Sequence, residues 1–322
     1  MIDQDVLKMR TLLSENALIA ALDYYEYGHL SSQQTSSLRD LARDPGLKQN
    51  SFFQTLKKYH KNDDFFADKK IMLALREEAP FYNISADVRT SLVARSLQTL
   101  VLLPAAIGSM YKTVSEAECT FQHWDEGAAY LIGSIEGPQW GGDSGDNGVA
   151  MYGLAKELCN EFRVCTPSGN AETNERLVEY LSNGEDLISG GSCASVNDHI
   201  EMKIVPTLMA TLVQGTILYA GKPTARGDAH VFAETILPFI NEDGKSNATV
   251  IAGNSRLDYT GSSMEVIDAF SHVLSNMGVD CEEVGSFEGN VAHTLCKDTY
   301  DPDQSTDLSD GLYITKTSVR DR

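Results

Sequence analysis

Positive charge is in short supply along this chain. Against 46 Asp and Glu stand 26 Lys and Arg in 322 residues, a formal net charge of -20. Phosphate backbones and anionic membrane surfaces are repelled by most of such a surface, which excludes nucleic acid as a partner. No signal peptide opens the chain, because Met1-Ile2-Asp3-Gln4-Asp5 is acidic and polar where a basic and then apolar stretch is required. The expectation is a cytosolic protein, or one whose leader has been removed. Long apolar runs are missing too: the longest, Leu97 to Met110, contains Gln98, Thr99 and Pro104. It falls short of the roughly 20 residues that cross a bilayer, so no membrane-spanning segment is expected. There is no P-loop, no GxGxxG after a strand, no GxSxG elbow and no HExxH. Phosphate, dinucleotide, acyl-transfer and zinc-protease chemistry are therefore without support.

Cysteine is present without metal spacing. Cys119, Cys159, Cys165, Cys193, Cys281 and Cys296 include no CxxC pair, and their even number suits a disulfide framework in an oxidising compartment. Cys159 with Cys165 and Cys281 with Cys296 are the expected local pairs; six buried thiols in a cytosolic core are the alternative. Two sequons, at Asn83 and Asn247, fit a secreted route.

Strand-like alternation is short and sparse, and most of the chain reads as helix. Val6 to Tyr27, Leu92 to Tyr111 and Glu201 to Tyr219 carry apolar residues at helical spacing, and Gly28 or Gly221-Lys222-Pro223 stop two of them. An all-α fold is expected, as one helical domain over 1–299 with a polar tail over 300–322, either a frayed terminus or a linker to an anchor outside this chain. A pseudo-two-fold internal repeat emerges on aligning about 92–165 with about 203–281. Each copy has an apolar helix ending in Tyr, a helix carrying His and Glu, and a third ending in Cys.

What the chain does have, in the middle of this helical pattern, is a set of hard-metal ligand types. At about 100° per residue, His123, Glu126 and Tyr130 fall within roughly one sixth of a helix circumference. Such groups on a mostly apolar helix are costly unless they bind one another or a cation. His230 and Glu234, four residues apart, share a face in the second copy. Two half-sites facing each other would build one site between helices. Ferric iron prefers phenolate and carboxylate oxygens with an imidazole, and His123, Asp125, Glu126, Tyr130, Tyr111, His230 and Glu234 supply those types. The competing reading is that these side chains satisfy each other. Gly142-Asp143-Ser144-Gly145 matches the nucleophile segment of trypsin-like proteases, but the strand pattern and the following glycine are lacking. The overlapping Asp143–Gly148 loop lacks the bidentate Glu of a calcium loop, since Leu154 stands there.

The run His123-Trp124-Asp125-Glu126-Gly127-Ala128-Ala129-Tyr130-Leu131-Ile132-Gly133-Ser134-Ile135-Glu136-Gly137, with Met151-Tyr152-Gly153-Leu154-Ala155 and Cys159 to Cys165, resembles the algal iron-assimilating, low-iron-inducible periplasmic proteins and the related phytotransferrins. Asp228 to Pro238 and Met277 to Cys281 are similar as well. The likeness spans roughly Leu18 to Cys296. It implies a secreted, periplasmic or cell-surface protein that captures Fe3+ for uptake, with carbonate as companion anion and a cell-surface anchor or receptor outside this chain. Arg95 and Arg226, near ligand-bearing segments, are the candidate holders of that anion. Two other classes stay open: a helical non-haem iron enzyme, disfavoured because Glu-x-x-His pairs are not evident, and a non-catalytic surface protein.

Overall fold

The computed structural model describes residues 2–30, 37–115, 119–136, 148–288 and 292–296. The tail over 300–322, the Gly142–Gly145 segment and the Asp143–Asn147 part of the adjoining loop lie outside them. The fold is all-α. In chain order its helices are α1 (Ile2–Ser14), α2 (Leu18–Tyr27), α3 (Leu38–Arg43), α4 (Ser51–Tyr59), α5 (Phe66–Leu75), α6 (Ala86–Arg95), α7 (Leu103–Ser115) and α8 (Phe121–Ile132). There follow α9 (Met151–Leu158), α10 (Glu172–Ser189), α11 (Cys193–His199), α12 (Val205–Ala220), α13 (Arg226–Ile236), α14 (Lys245–Asn254), α15 (Ser263–Ser271) and α16 (Cys281–Val284). A short antiparallel pair, β1 (Ser286–Glu288) and β2 (Ala292–Thr294), sets Phe287 opposite His293.

Two long helical rods organise the interior. One runs from α6 through a π-helical stretch, Ser96–Leu102, into α7; the other runs from α11 through Ile200–Ile204 into α12. Each π stretch ends just before a proline, Pro104 or Pro206, whose missing N–H interrupts the ordinary ladder. The amide ahead of it reaches five residues back instead, Leu103 N to Gln98 O and Val205 N to Ile200 O. By length and composition both rods could cross a bilayer, yet 89% and 78% of their most apolar windows is buried inside the protein. They are core helices. Helix α8 lies against α7, and α13 against α12 and α6. The two stretches share this rod, proline and back-packed helix, without more of the expected repeat being established.

Helix α8 is seated by glycines at its contacts and by its tryptophan. A Cβ on Gly127 would stand 2.6 Å from Met110 Cγ and 2.7 Å from Ala106 O, so only glycine lets α8 approach α7 this closely. Trp124 is fully buried and its indole N–H donates to Leu181 O at 3.1 Å. Its ring lies over Gly184 of α10, where a Cβ would overlap Cζ2. At the far end Gly133 (φ +83°) closes α8, and buried Asp3 of α1 accepts from the Ser134 and Ile135 amides.

All six cysteines pair. Cys159–Cys165 and Cys281–Cys296 are the local bridges expected, with Cα separations of 4.9 and 5.3 Å. Cys119–Cys193, at 5.7 Å, joins the approach to α8 to the start of α11. These separations suit disulfides.

Alkylation under denaturing conditions should therefore modify no cysteine before reduction and all six after it, read by intact mass. Free thiols in the oxidised protein would contradict the pairing. Gly184→Ala should destabilise the fold by about 1–3 kcal/mol through overpacking against Trp124, with a shift in tryptophan emission; wild-type stability in that variant would remove the contact.

Candidate functional site

On α8 the apolar side, Trp124, Gly127 and Leu131, faces inward, which leaves His123, Glu126 and Tyr130 on a half-buried flank. Glu126 joins the other two. His123 Nδ1 stands 3.3 Å from Glu126 Oε2, and the Tyr130 hydroxyl donates to Glu126 Oε1 at 3.0 Å. Burial pushes the Tyr130 phenol up, and Glu126, then Asp44, add to the effect, so the phenol is held protonated. Asp125 turns away and is exposed.

Tyr111, on α7, belongs to another group. Its hydroxyl donates to Glu201 Oε1 at 2.8 Å and lies 3.1 Å from Ser51 Oγ, and burial is the main cause that raises its pKa. The residue lines a separate cavity of about 380 Å3 with Lys112, Asn50 and Asn197.

His230 and Glu234 share a face of α13 as expected, with Nε2 and Oε1 3.4 Å apart, and His230 Nδ1 stands 3.3 Å from Ser255 O. What fills the space beside them is a cation of the protein's own. Lys70, 8% exposed, projects from α5 and pairs with Glu234 Oε2. Across from it His60 stacks flat on Phe66, ring centroids 4.1 Å apart, and its Nε2 is buried without a hydrogen-bond partner among the described residues. Burial first, then Lys70, pulls His230 down to about 3 and His60 to about 4. Burial also draws the Lys70 ammonium down to about 7, while the Glu234 carboxylate beside it works in the other direction.

Lys70 and His60 were not singled out by sequence reading, although Lys70 carried a signal. Phe66, Ala67, Lys70, Ile71, Ala74 and Leu75 form the inward stripe of α5, with a lysine where the period requires an apolar residue. His60, at the end of α4, follows no such pattern.

The two arginines expected to hold an anion are placed differently. Arg95 is buried and each of its nitrogens is engaged: Nε by Asp228 Oδ1 at 2.6 Å, Nη1 by Gln98 Oε1 at 2.8 Å, and Nη2 by Glu157 Oε1 at 2.7 Å and the Tyr219 hydroxyl at 3.1 Å. Its planar face lies over the Tyr219 and Phe232 rings. Desolvation opposes its charge, but Asp228 and Glu157 prevail and raise its pKa. Arg95 is thus a structural cation with internal counter-ions. Arg226 opens α13, with Nε buried and without a hydrogen-bond partner among the described residues.

The candidate ligands therefore fall into separate groups, on α8, at Tyr111 and on α13. Among the described residues no cluster of three or more His, Cys, Asp or Glu stands close enough to hold a metal ion. Compared with known family models, curated proteins and solved structures, the chain matches none of them.

The α13 cluster has a consequence for acid stability. His230 and His60 bind a proton more weakly in the folded chain than an imidazole does unfolded, near 6.5. Their neutral forms are fully accommodated above about pH 6.5, and stability is lost as pH falls toward 4, where the unfolded chain takes up the extra protons. Urea midpoints should fall over that window, and less steeply in His230→Gln. Identical slopes in both proteins would show that His230 titrates normally.

Proposed function

We propose that this chain binds ferric iron outside the cytoplasm for capture and uptake, with the α8 flank of His123, Glu126 and Tyr130 as the nucleus of the site. The observation that carries this reading is Glu126, whose two oxygens face an imidazole and a phenol on one half-open surface. A hard trivalent cation suits that combination, and its charge would replace the proton the phenol now directs at Glu126. Asp44, whose charge acts on Tyr130, is a further oxygen donor within the same electrostatic surroundings. One helix does not complete a coordination sphere, so water or a small anion such as carbonate would supply the rest. His230 and Glu234 take no part in this version, because Lys70 already neutralises the carboxylate. The resemblance of the α8 segment to algal iron-assimilating proteins supports the same reading, as does the acidic surface. Three disulfides fit an oxidising compartment, hence a secreted, periplasmic or surface location.

A second reading is favoured by the same hydrogen bonds. His123, Glu126 and Tyr130 satisfy one another, as they would in a surface protein with no cargo. Iron titration separates the two. A visible tyrosinate-to-iron charge-transfer band is expected, absent in Tyr130→Phe, whose metal-free stability should change by less than about 1.5 kcal/mol. Colour and affinity should both fall on acidification from about pH 7.5 to about 5, since protons compete for every ligand named. A colourless titration, or undiminished binding by the Phe variant, would leave the second reading.

A further inference from the structure

One cation stands beside the Arg95 network without joining it. Arg10 projects from α1 into a cleft of about 550 Å3, whose other wall is α9 and the residues leading into it, through Gly148, Gly153, Lys156 and Glu157. Among the described residues Arg10 makes neither a hydrogen bond nor an ion pair. The guanidinium is half-buried, so its five donors, with no acceptor among the described residues, face the cleft. Burial, and next Arg95, lower its pKa, and the opposing pull of Glu157 and Asp228 does not restore it. The Glu157 carboxylate on the wall is already committed: its Oε1 accepts from Arg95 and from the Tyr219 hydroxyl. Arg95 with Asp228 and Glu157 sums to one negative charge, which Arg10 offsets from a distance without its donors finding an acceptor. Lys156, which has a partner of its own, lines the same cleft. The cleft lies within the range of about 300–1,000 Å3 typical of small-molecule sites and is far roomier than a bare inorganic anion needs.

We propose that this cleft binds a small organic oxyanion, a carboxylate- or phosphate-bearing molecule of metabolite size, whose acidic group is held by the Arg10 guanidinium. The Arg fork matches both kinds of oxyanion, and Glu157 on the opposite wall suits a ligand that carries hydroxyl or amino donors beside its acid group. The site is separate from α8 and does not rest on iron binding.

The test is calorimetric titration of the metal-free protein with citrate and, in a second arm, with inorganic phosphate, on wild type, Arg10→Gln and Arg10→Lys. Citrate should bind the wild type and bind Arg10→Gln at least about tenfold more weakly, the equivalent of one lost charge-assisted hydrogen bond. Arg10→Lys keeps the charge but not the fork, and should fall between them. Binding of citrate alone identifies a carboxylate ligand, and binding of phosphate as well identifies an oxyanion of either kind. Heat from neither probe up to about 10 mM, a concentration at which useful recognition would register, overturns the proposal. Equal affinity in all three proteins does so too, because generic salting effects do not discriminate between them. Iron titration of Arg10→Gln should match wild type, so a failure of the α8 reading leaves this outcome untouched.

Discussion

The buried guanidinium of Arg95 is the point to which the interior is tied. It sits where α6 passes into the π-helical stretch, and it bonds to α9 through Glu157, to α12 through Tyr219 and to α13 through Asp228. A charge taken out of water is tolerable only when nearly all its donors are met, and here they are. Removing one partner would leave an uncompensated charge, so the four elements are held in one relative arrangement. Asp228 lies two residues before His230. The azimuth of α13, and with it the direction of His230 and Glu234, is therefore fixed by a bond made on the opposite side of the helix.

Two helices with the same sequence device end in different chemistry. On α8 and on α13 a histidine precedes a glutamate by three or four residues, and in both the pair is in contact. What differs is the element across from them. Along α8 the flank faces outward and Glu126 is shared with Tyr130 of its own helix. Along α13 the flank is reached from α5, whose Lys70 brings an ammonium to Glu234. A cation of the protein thus stands where a metal was expected, and burial first, then that cation, keeps the histidines beside it neutral.

That contrast marks how far periodicity reads. It placed helices, assigned faces, and put His123, Glu126 and Tyr130 on one side of α8; it also made Cys159–Cys165 and Cys281–Cys296 natural pairs through short loops. It says nothing of which distant element meets a face. Lys70, Ser255 and Glu157 act at separations that no local spacing encodes, and Cys119–Cys193 spans 74 residues. Arg95 was noticed for its position near a ligand-bearing segment, but its four partners lie on the π stretch and on three other helices. The apolar stripe of α5 with a lysine in it was the one local irregularity that pointed to a buried partner.

Rigidity is the link between the fold and the proposed capture of a metal. The approach to α8 is tethered by Cys119–Cys193, its body is keyed by Trp124 against α10 and Gly127 against α7, and its end is closed by Gly133 against Asp3. A helix restrained at three points gives its flank little freedom to rearrange. Ligands that already stand in contact lose little entropy when a cation takes the place of a proton, so even a partial set binds more tightly than the same residues on a mobile loop. The Tyr130–Glu126–His123 row is a satisfied hydrogen-bonded surface without metal, and under the proposed function it would be a preformed part of a coordination sphere. The two descriptions differ in whether iron displaces the phenolic proton.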